Sequence, residues 1–307
     1  MAITLTAAPE TASISIDEFM DFAGRELDPD DEASICSEAS VRQFSLLLNN
    51  RSLVAAALND ELRRMPRPLS NDYTATHLIL ASTASFVVRA NFWTPPHIDP
   101  EAFVFANYFN RYQQPHNHRF GFLTGGYSGS GYETEIYEYD AAESDALPGD
   151  KARMTLLEQT SLPKGKVMFY RAIRDAHFQK VPQEPSVSLN LLCVTKRGLE
   201  RPTLSFDFDQ RVVTDSDILG PSSRDSVFKL AEHVGDERVA DTLEAIAQTH
   251  PHPIMRANAY TTLVRLRPDE RENIVRQGAA DGHPYVTELA KKGFGDKVAQ
   301  SWGAISA

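Results

Sequence analysis

Gln114-Pro115-His116-Asn117-His118-Arg119-Phe120 places two histidines two residues apart near the middle of the chain. In an extended strand successive side chains alternate between faces, so His116 and His118 point one way and Asn117 the other. Two imidazoles facing one interior suit a divalent metal. Neutral imidazole is a good ligand for iron, zinc, copper or nickel, and a third ligand can come from another strand. The competing reading makes them hydrogen-bonded structural or surface residues of a loop. What surrounds the pair bears on the choice, because an interior metal needs a sheet to enclose it.

The surroundings read as short strands. From Thr76 to Trp93 the chain is rich in β-branched and aromatic residues, which predicts one or two strands before Pro95-Pro96. As far as about Phe208, apolar alternation is broken at short intervals by Gly, Pro and Asp. Met154 to Thr160, Lys166 to Tyr170, Ala176 to Val181 and Ser186 to Val194 are further strands, with turns at Leu162-Pro-Lys-Gly165 and Pro182-Gln-Glu-Pro185. Gly125-Gly-Tyr-Ser-Gly-Ser-Gly131 reads as a hairpin turn joining Arg119 to Thr124 with Tyr132 to Tyr139. It lacks the Lys-Ser/Thr and the following helix of a phosphate-binding loop. Many short strands at this spacing predict a sandwich or a small barrel with alternate residues projecting inward.

Helices flank this region. Residues 1 to about 14 are small and polar and are expected to lie loosely on the surface. Ser15, three residues before Glu18, has the spacing of a capping box, and Val41 to Leu48 and Leu53 to Leu62 carry helical periodicity. Arg63-Arg64-Met65-Pro66-Arg67 is the densest basic run and reads as the basic end of a helix. Beyond Ser222, helical spacing returns in Ser226 to Val234, Glu237 to Thr249, Pro253 to Leu266 and Pro284 to Lys292. His252-Pro253 and His283-Pro284 recur 31 residues apart, each before a helix, as in HEAT-like helical hairpins. Such an array presents a surface for a protein partner or for self-association. The expected division is an N-terminal helical segment 1–70, a β-barrel 71–215 and a C-terminal helical domain 216–307.

Composition narrows the function. A chain of 307 residues, 42% apolar and 24% charged, is ordinary for a soluble globular protein and long enough for a large core. No stretch approaches the ~20 apolar residues of a membrane span. The start lacks the basic and apolar regions of a secretory signal, so a cytoplasmic location is expected. A formal charge of −11 speaks against general binding to nucleic acid or to an anionic membrane. Cys36 and Cys193 form neither a disulfide framework nor a Cys-x-x-Cys pair.

Pro115-His-Asn-His, the Gly-rich turn, Pro163-Lys-Gly165 and His177 in a β-rich run ending at Ser188-Leu-Asn190 together resemble a cupin across residues 76 to 208. The resemblance implies an α+β chain: a double-stranded β-helix, the cupin barrel, flanked by helices at both ends. It also implies a metal held by His116, His118 and His177. The usual first cupin motif has a glutamate four or five residues after the second histidine, where this chain has Phe122 and Leu123, and the second motif is stretched between Gly165 and His177. A three-histidine set is similar to the cysteine dioxygenase branch and related thiol and diketone dioxygenases. The missing His-x-Asp/Glu sets the chain apart from oxygenases that use 2-oxoglutarate.

Around such a site Arg89 is the expected fork for a substrate carboxylate, on the Phe86-to-Trp93 strand, with Arg111 and Arg119 as the other basic residues nearby. Glu135, with Glu133 and Glu138, reaches the site if the Gly-rich turn joins paired strands; the alternative is solvent exposure. Tyr112, Trp93, Tyr108, Phe120 and Phe122 are candidate pocket walls or ordinary core. Cys193, inside an apolar run, reads as buried and inert. The resulting expectation is a mononuclear non-haem Fe(II) dioxygenase acting on a small organic molecule with O2. Its rivals are an isomerase, epimerase or lyase using Zn, Ni or Mn on the same barrel, and a non-catalytic binding or scaffold protein.

Overall fold

The computed structural model describes residues 3–5, 11–64, 76–140, 146–195, 203–217 and 224–295. Two compact units are present, Met1–Ser216 and Asp217–Ala307.

The first unit begins with strand β1 (Ile3–Leu5) and helices α1 (Ile16–Glu26), α2 (Glu32–Ile35), α3 (Glu38–Leu48) and α4 (Leu53–Arg64). Ser15 and Glu18 make the capping box, each side chain accepting from the other's backbone N–H. Met65 to Arg67, and with them most of the basic run, lie outside the described residues, as does the expected boundary at residue 70. The strands follow: β2 (His77–Ser82), β3 (Phe86–Trp93), β4 (His116–Asn117), β5 (Gly121–Ser128), β6 (Glu133–Tyr139), β7 (Met154–Ser161), β8 (Val167–Tyr170), β9 (Asp175–Gln179), β10 (Ser186–Cys193), β11 (Thr203–Asp207) and β12 (Val212–Asp217).

These strands form two antiparallel six-stranded sheets, ordered β1-β8-β5-β10-β3-β2 and β12-β11-β4-β9-β6-β7. From β3 to β10 the chain changes sheet at every step except β6 to β7. The inner strands therefore stand in the orders first-eighth-third-sixth and second-seventh-fourth-fifth. That alternation is a double-sheet jelly roll, the arrangement on which cupins are built.

Period-two burial sorts each strand of the first sheet. Val88, Ala90, Leu123, Phe169, Leu189 and Leu191 face outward onto α1, α3 and α4, where they meet Phe19, Phe44, Leu47 and Leu53. The alternate residues Trp93, Phe122, Met168, Tyr170 and Leu192 face inward with Ile136 of the second sheet. The space between the sheets is thus lined from both sides.

Four details differ from the sequence-based expectation. Residues 3–5 are paired with β8 instead of lying loosely on the surface. A helix, α5 (Pro100–Asn110), interrupts the strand region, because Pro100 at its start and the near-continuous apolar run that follows do not alternate. The sheets continue through β11 and β12, past Phe208. Finally, the Gly-rich turn does not join paired strands: β5 pairs with β8 and β10, whereas β6 pairs with β7 and β9. Gly129 and Gly131 take positive φ, 80° and 79°, and a Cβ at Gly131 would run into the Leu162 carbonyl. The turn is a corner between sheets, packed on the loop after β7.

The second unit comprises α6 (Arg224–Val234), α7 (Glu237–Thr249), α8 (Pro253–Leu266), a 3-10 turn at Pro268–Glu270, α9 (Arg271–Ala279) and α10 (Pro284–Lys291). Only α9, a polar helix with few apolar marks, escapes the sequence reading. Phe228, Leu243, Tyr260, Leu263, Ile274, Val286 and Phe294 form its core. His252 and His283 are equivalent N-caps, each accepting an N–H two residues on, with Pro at the next position.

Candidate metal centre

Strand β4 lies between β11 and β9, and its register sets His116 opposite both Ser205 and His177. On the far side of β9, His177 faces Ile136. The side chain between the two histidines of β4 anchors the strand from its other face. Asn117 donates to the Ile173 carbonyl at 2.9 Å and accepts from the Leu204 N–H at 2.7 Å. His118 follows directly and turns its ring to the same side as His116. The residues leading in are strained: Arg111 and Gln113 take φ of 51° and 56°, a region disfavoured without glycine.

The three rings form a near-equilateral triangle, with centroids 4.8 Å apart for His116 and His118, 4.9 Å for His116 and His177, and 5.1 Å for His118 and His177. One nitrogen from each ring lies within 4.8 Å of the others. His118 Nε2 and His177 Nε2 are 2.9 Å apart. Two imidazole nitrogens bound to one ion at ~2.0–2.1 Å stand about 3 Å apart when they subtend roughly a right angle, so this spacing fits a shared ion. His116 Nδ1 donates to the Gln114 carbonyl at 2.7 Å, which leaves its Nε2 lone pair for the centre.

The electrostatics suit ligands rather than acids. Burial is the main cause holding all three imidazoles in the neutral form, pushing His177 down to about 3 and His116 and His118 well below the usual histidine range. The neighbouring imidazoles and the Arg111 and Arg89 charges act in the same direction on His118. Among the described residues no carboxylate joins the cluster. Asp175, two residues before His177, is held by Arg171 through contacts of 2.6 and 3.0 Å. Donor set, neutrality and spacing therefore all fit a divalent ion.

Glu135 is not brought to the cluster, which corrects the expectation for it. It stands opposite Phe178 on β9, on the face of the sheet away from His177, and accepts from the Tyr137 hydroxyl at 3.2 Å. Glu133 pairs with Lys180, and Glu138 with Arg171 and Arg174. The cause is the sheet change at residues 129–131, which pairs β6 with β7 and β9 instead of β5; Glu133 and Glu135 then lie on the face away from His177, and Glu138, opposite Asp175, is taken up by arginines.

Tyr112 is buried against Trp93 and Phe103, and its hydroxyl accepts from Asn110 at 3.4 Å. The tyrosine whose ring meets His177 is Tyr170, at a centroid distance of 4.6 Å, and its hydroxyl is buried beside Tyr132 and Thr134. Phe122 stacks on Tyr170 at 4.8 Å, and Phe120 and Phe122 lie 5.1 and 5.0 Å from His118. The Tyr108 side chain lies outside the described residues.

Arg89 is on β3, opposite Asn190 of β10 and Ile79 of β2, and shares its face of the strand with Asn91 and Trp93. That is the inward face. Its Nε is buried without a hydrogen-bond partner, and no carboxylate pairs with it among the described residues. Burial alone lowers it to about 10. The adjacent Asn190 accepts from Thr124 at 2.7 Å, and the Asn91 side-chain oxygen is also unpartnered. Gln179, which shares its face of β9 with His177, has its amide nitrogen 3.3 Å from His177 Nδ1 and its buried oxygen without a partner. Alternation along the strand, His177-x-Gln179, is the signal by which the sequence could have shown it.

No protein-family model and no curated protein matches the chain. Among solved structures it is similar to DMSP lyases described with RdDddP and RnDddQII, at 16% identity over 39% of this chain and 47% of that one, TM-score 0.22. It is similar to salicylate 1,2-dioxygenase from Pseudoaminobacter salicylatoxidans at 10% identity, over 45% of this chain and 32% of that one, TM-score 0.26. A cupin domain from Bordetella pertussis Tohama I matches at 5% identity, over 41% of this chain and 99% of that one, TM-score 0.21. The chain spans about half the length of the lyase and a third of the dioxygenase. Likeness this shallow assigns no activity.

Proposed function

We propose that the chain is a mononuclear non-haem Fe(II) oxygenase on a cupin-type jelly roll, with His116, His118 and His177 holding the ion and a small organic substrate reacting with O2. The observation that carries this reading is the convergence of three neutral imidazoles, two buried and one partly buried, with no carboxylate among them in the described residues. Bound there, Fe(II) would supply a redox-active centre that keeps its full positive charge and has coordination positions to spare. Arg89 binds the carboxylate of an anionic substrate, because an inward guanidinium with no counter-ion of its own is a ready planar fork. Phe120, Phe122 and Tyr170 exclude water from the ring cluster and give the substrate an apolar wall. Tyr112 shapes that wall from behind Trp93. The expected barrel segment 71–215 carries all of these residues, and the helices of the second unit form a HEAT-like accessory array.

The test is elemental analysis of protein purified without added metal, followed by oxygen uptake with thiol, amino-acid and diketone substrates. Iron and substrate-dependent oxygen consumption, both lost in His177→Ala, support the reading. Zinc, nickel or manganese with turnover but no oxygen uptake would favour an isomerase, epimerase or lyase instead. Partner binding that survives His177→Ala, with turnover in neither form, would favour a scaffold.

A further inference from the structure

The proposed metal reading fixes which nitrogen of His177 must be free. Its Nε2 faces His118 Nε2 at 2.9 Å, so Nε2 is the ligand atom and the ring proton must sit on Nδ1. A ligating imidazole donates that other N–H to an acceptor, which sets its tautomer and ring orientation. His116 satisfies this through a backbone carbonyl, that of Gln114. His177 has a side chain in the same place. Gln179, only 5% exposed, stands two residues along the same face of β9.

As placed, the Gln179 amide nitrogen approaches His177 Nδ1 at 3.3 Å and its oxygen has no partner. An amide nitrogen can only donate, so this contact puts the ring proton on Nε2, where it bridges to His118. That is a metal-free network, and it leaves a buried oxygen orphaned, which is unfavourable. Half a turn about the last side-chain bond exchanges the two ends of the amide. The oxygen then accepts from Nδ1–H, the orphan is relieved, and the Nε2 lone pair is released to the centre.

We infer that Gln179 is the positioning residue of the metal centre: with the ion bound, its amide oxygen holds the Nδ1 proton of His177. This rests on the metal reading above, and the two fail separately. Gln179→Leu removes the acceptor, whereas Gln179→Glu keeps an acceptor oxygen at the same reach.

Affinity for Zn(II), a redox-silent probe, is measured by competition against a chromophoric chelator in wild type and both variants, with apo melting curves as the folding control. Gln179→Leu is expected to weaken zinc binding by about 10–100-fold. Gln179→Glu is expected to hold wild-type affinity or exceed it. Should Gln179→Leu not fold, imidazole 15N spectra of zinc-loaded wild type decide the matter: His177 Nδ1 carries a slowly exchanging proton and Nε2 is metal-bound. Equal affinity in wild type and Gln179→Leu, equal loss in both variants, or Nδ1 as the bound nitrogen overturns the inference and leaves the metal reading standing. A wild-type chain that takes up no divalent ion removes both.

Discussion

The two units bury polar groups in opposite ways. Between the sheets of the first, Arg89, Asn91 and Gln179 each present a buried polar atom that no group among the described residues satisfies. The helical unit buries a single polar residue, Thr262, and among the described residues it leaves no buried side-chain polar atom unpartnered. Its partly buried arginines are paired with acids, and Arg256 grips Asp281 at 2.8 Å through two nitrogens and donates to the His250 carbonyl at 2.9 Å. An orphaned buried group is unfavourable by about 1–3 kcal/mol. Three in one interior, beside three neutral imidazoles, accord with the proposed metal and substrate site. Among its described residues the helical unit shows no such open group.

The widest separation between the units comes from single substitutions. His177→Ala should take the metal content of purified protein from about one ion per chain to near zero, since two neutral donors do not hold a divalent ion against buffer. Inductively coupled plasma analysis reads this directly, and residual stoichiometric metal would move the site elsewhere. Arg256→Ala should do the reverse, leaving metal content unchanged and destabilising the helical unit by about 3 kcal/mol. The loss arises because Asp281, 7% exposed, keeps its charge without its partner. Denaturant titration followed by circular dichroism measures it. A loss of metal in Arg256→Ala would undo the division of roles.

What could be read in advance follows the same division. Strict alternation made His116 and His118 neighbours on one face, and short strands with frequent turns implied an enclosing sheet; His177 as the third member came from the resemblance to cupins, and the three do converge. Glu135 was not, because strand adjacency was assumed across the Gly-rich turn. Glycines that permit a tight hairpin equally permit a corner, and only the Leu162 loop packed on Gly131 distinguishes the two. Tyr170 was missed for a related reason: β8 pairs with β5 and β1, a long-range arrangement with no local mark. Helix α5 was hidden by its apolar density, which reads equally as a buried strand. His252 and His283, by contrast, were visible as helix starts because capping is local.

Replacing Arg89 by methionine sharpens the contrast from the other side. The substitution removes a partly buried guanidinium whose Nε has no partner among the described residues, and keeps most of its aliphatic volume, so the apo protein should gain about 1 kcal/mol while losing affinity for anionic substrates. Thermal melts and substrate titration on one preparation check both halves. A destabilised variant would mean that Arg89 has a structural partner and is not waiting for a ligand.

The last prediction is a pH dependence that arises in the first unit. His77, on β2 opposite Asn91, is held down to about 3, by burial first and then by the Arg89 charge. Its unfolded value is near 6.5, so between about 6.5 and 3 the unfolded chain binds a proton that the folded chain refuses. Stability is therefore complete above pH 6.5 and falls as the solution is acidified, by up to about 1.4 kcal/mol per pH unit for this one ring. His77→Gln should make that part of the curve less steep, leaving the share of His116, His118 and His177, which burial also holds neutral. Removing Arg89 takes away the second cause but not the first, so in Arg89→Met the decline should persist over a narrower range, ending at a higher pH. An unchanged acid limb in His77→Gln would assign the dependence to other groups. An unchanged limb in Arg89→Met alone would mean that burial of the ring, without the neighbouring charge, sets its titration.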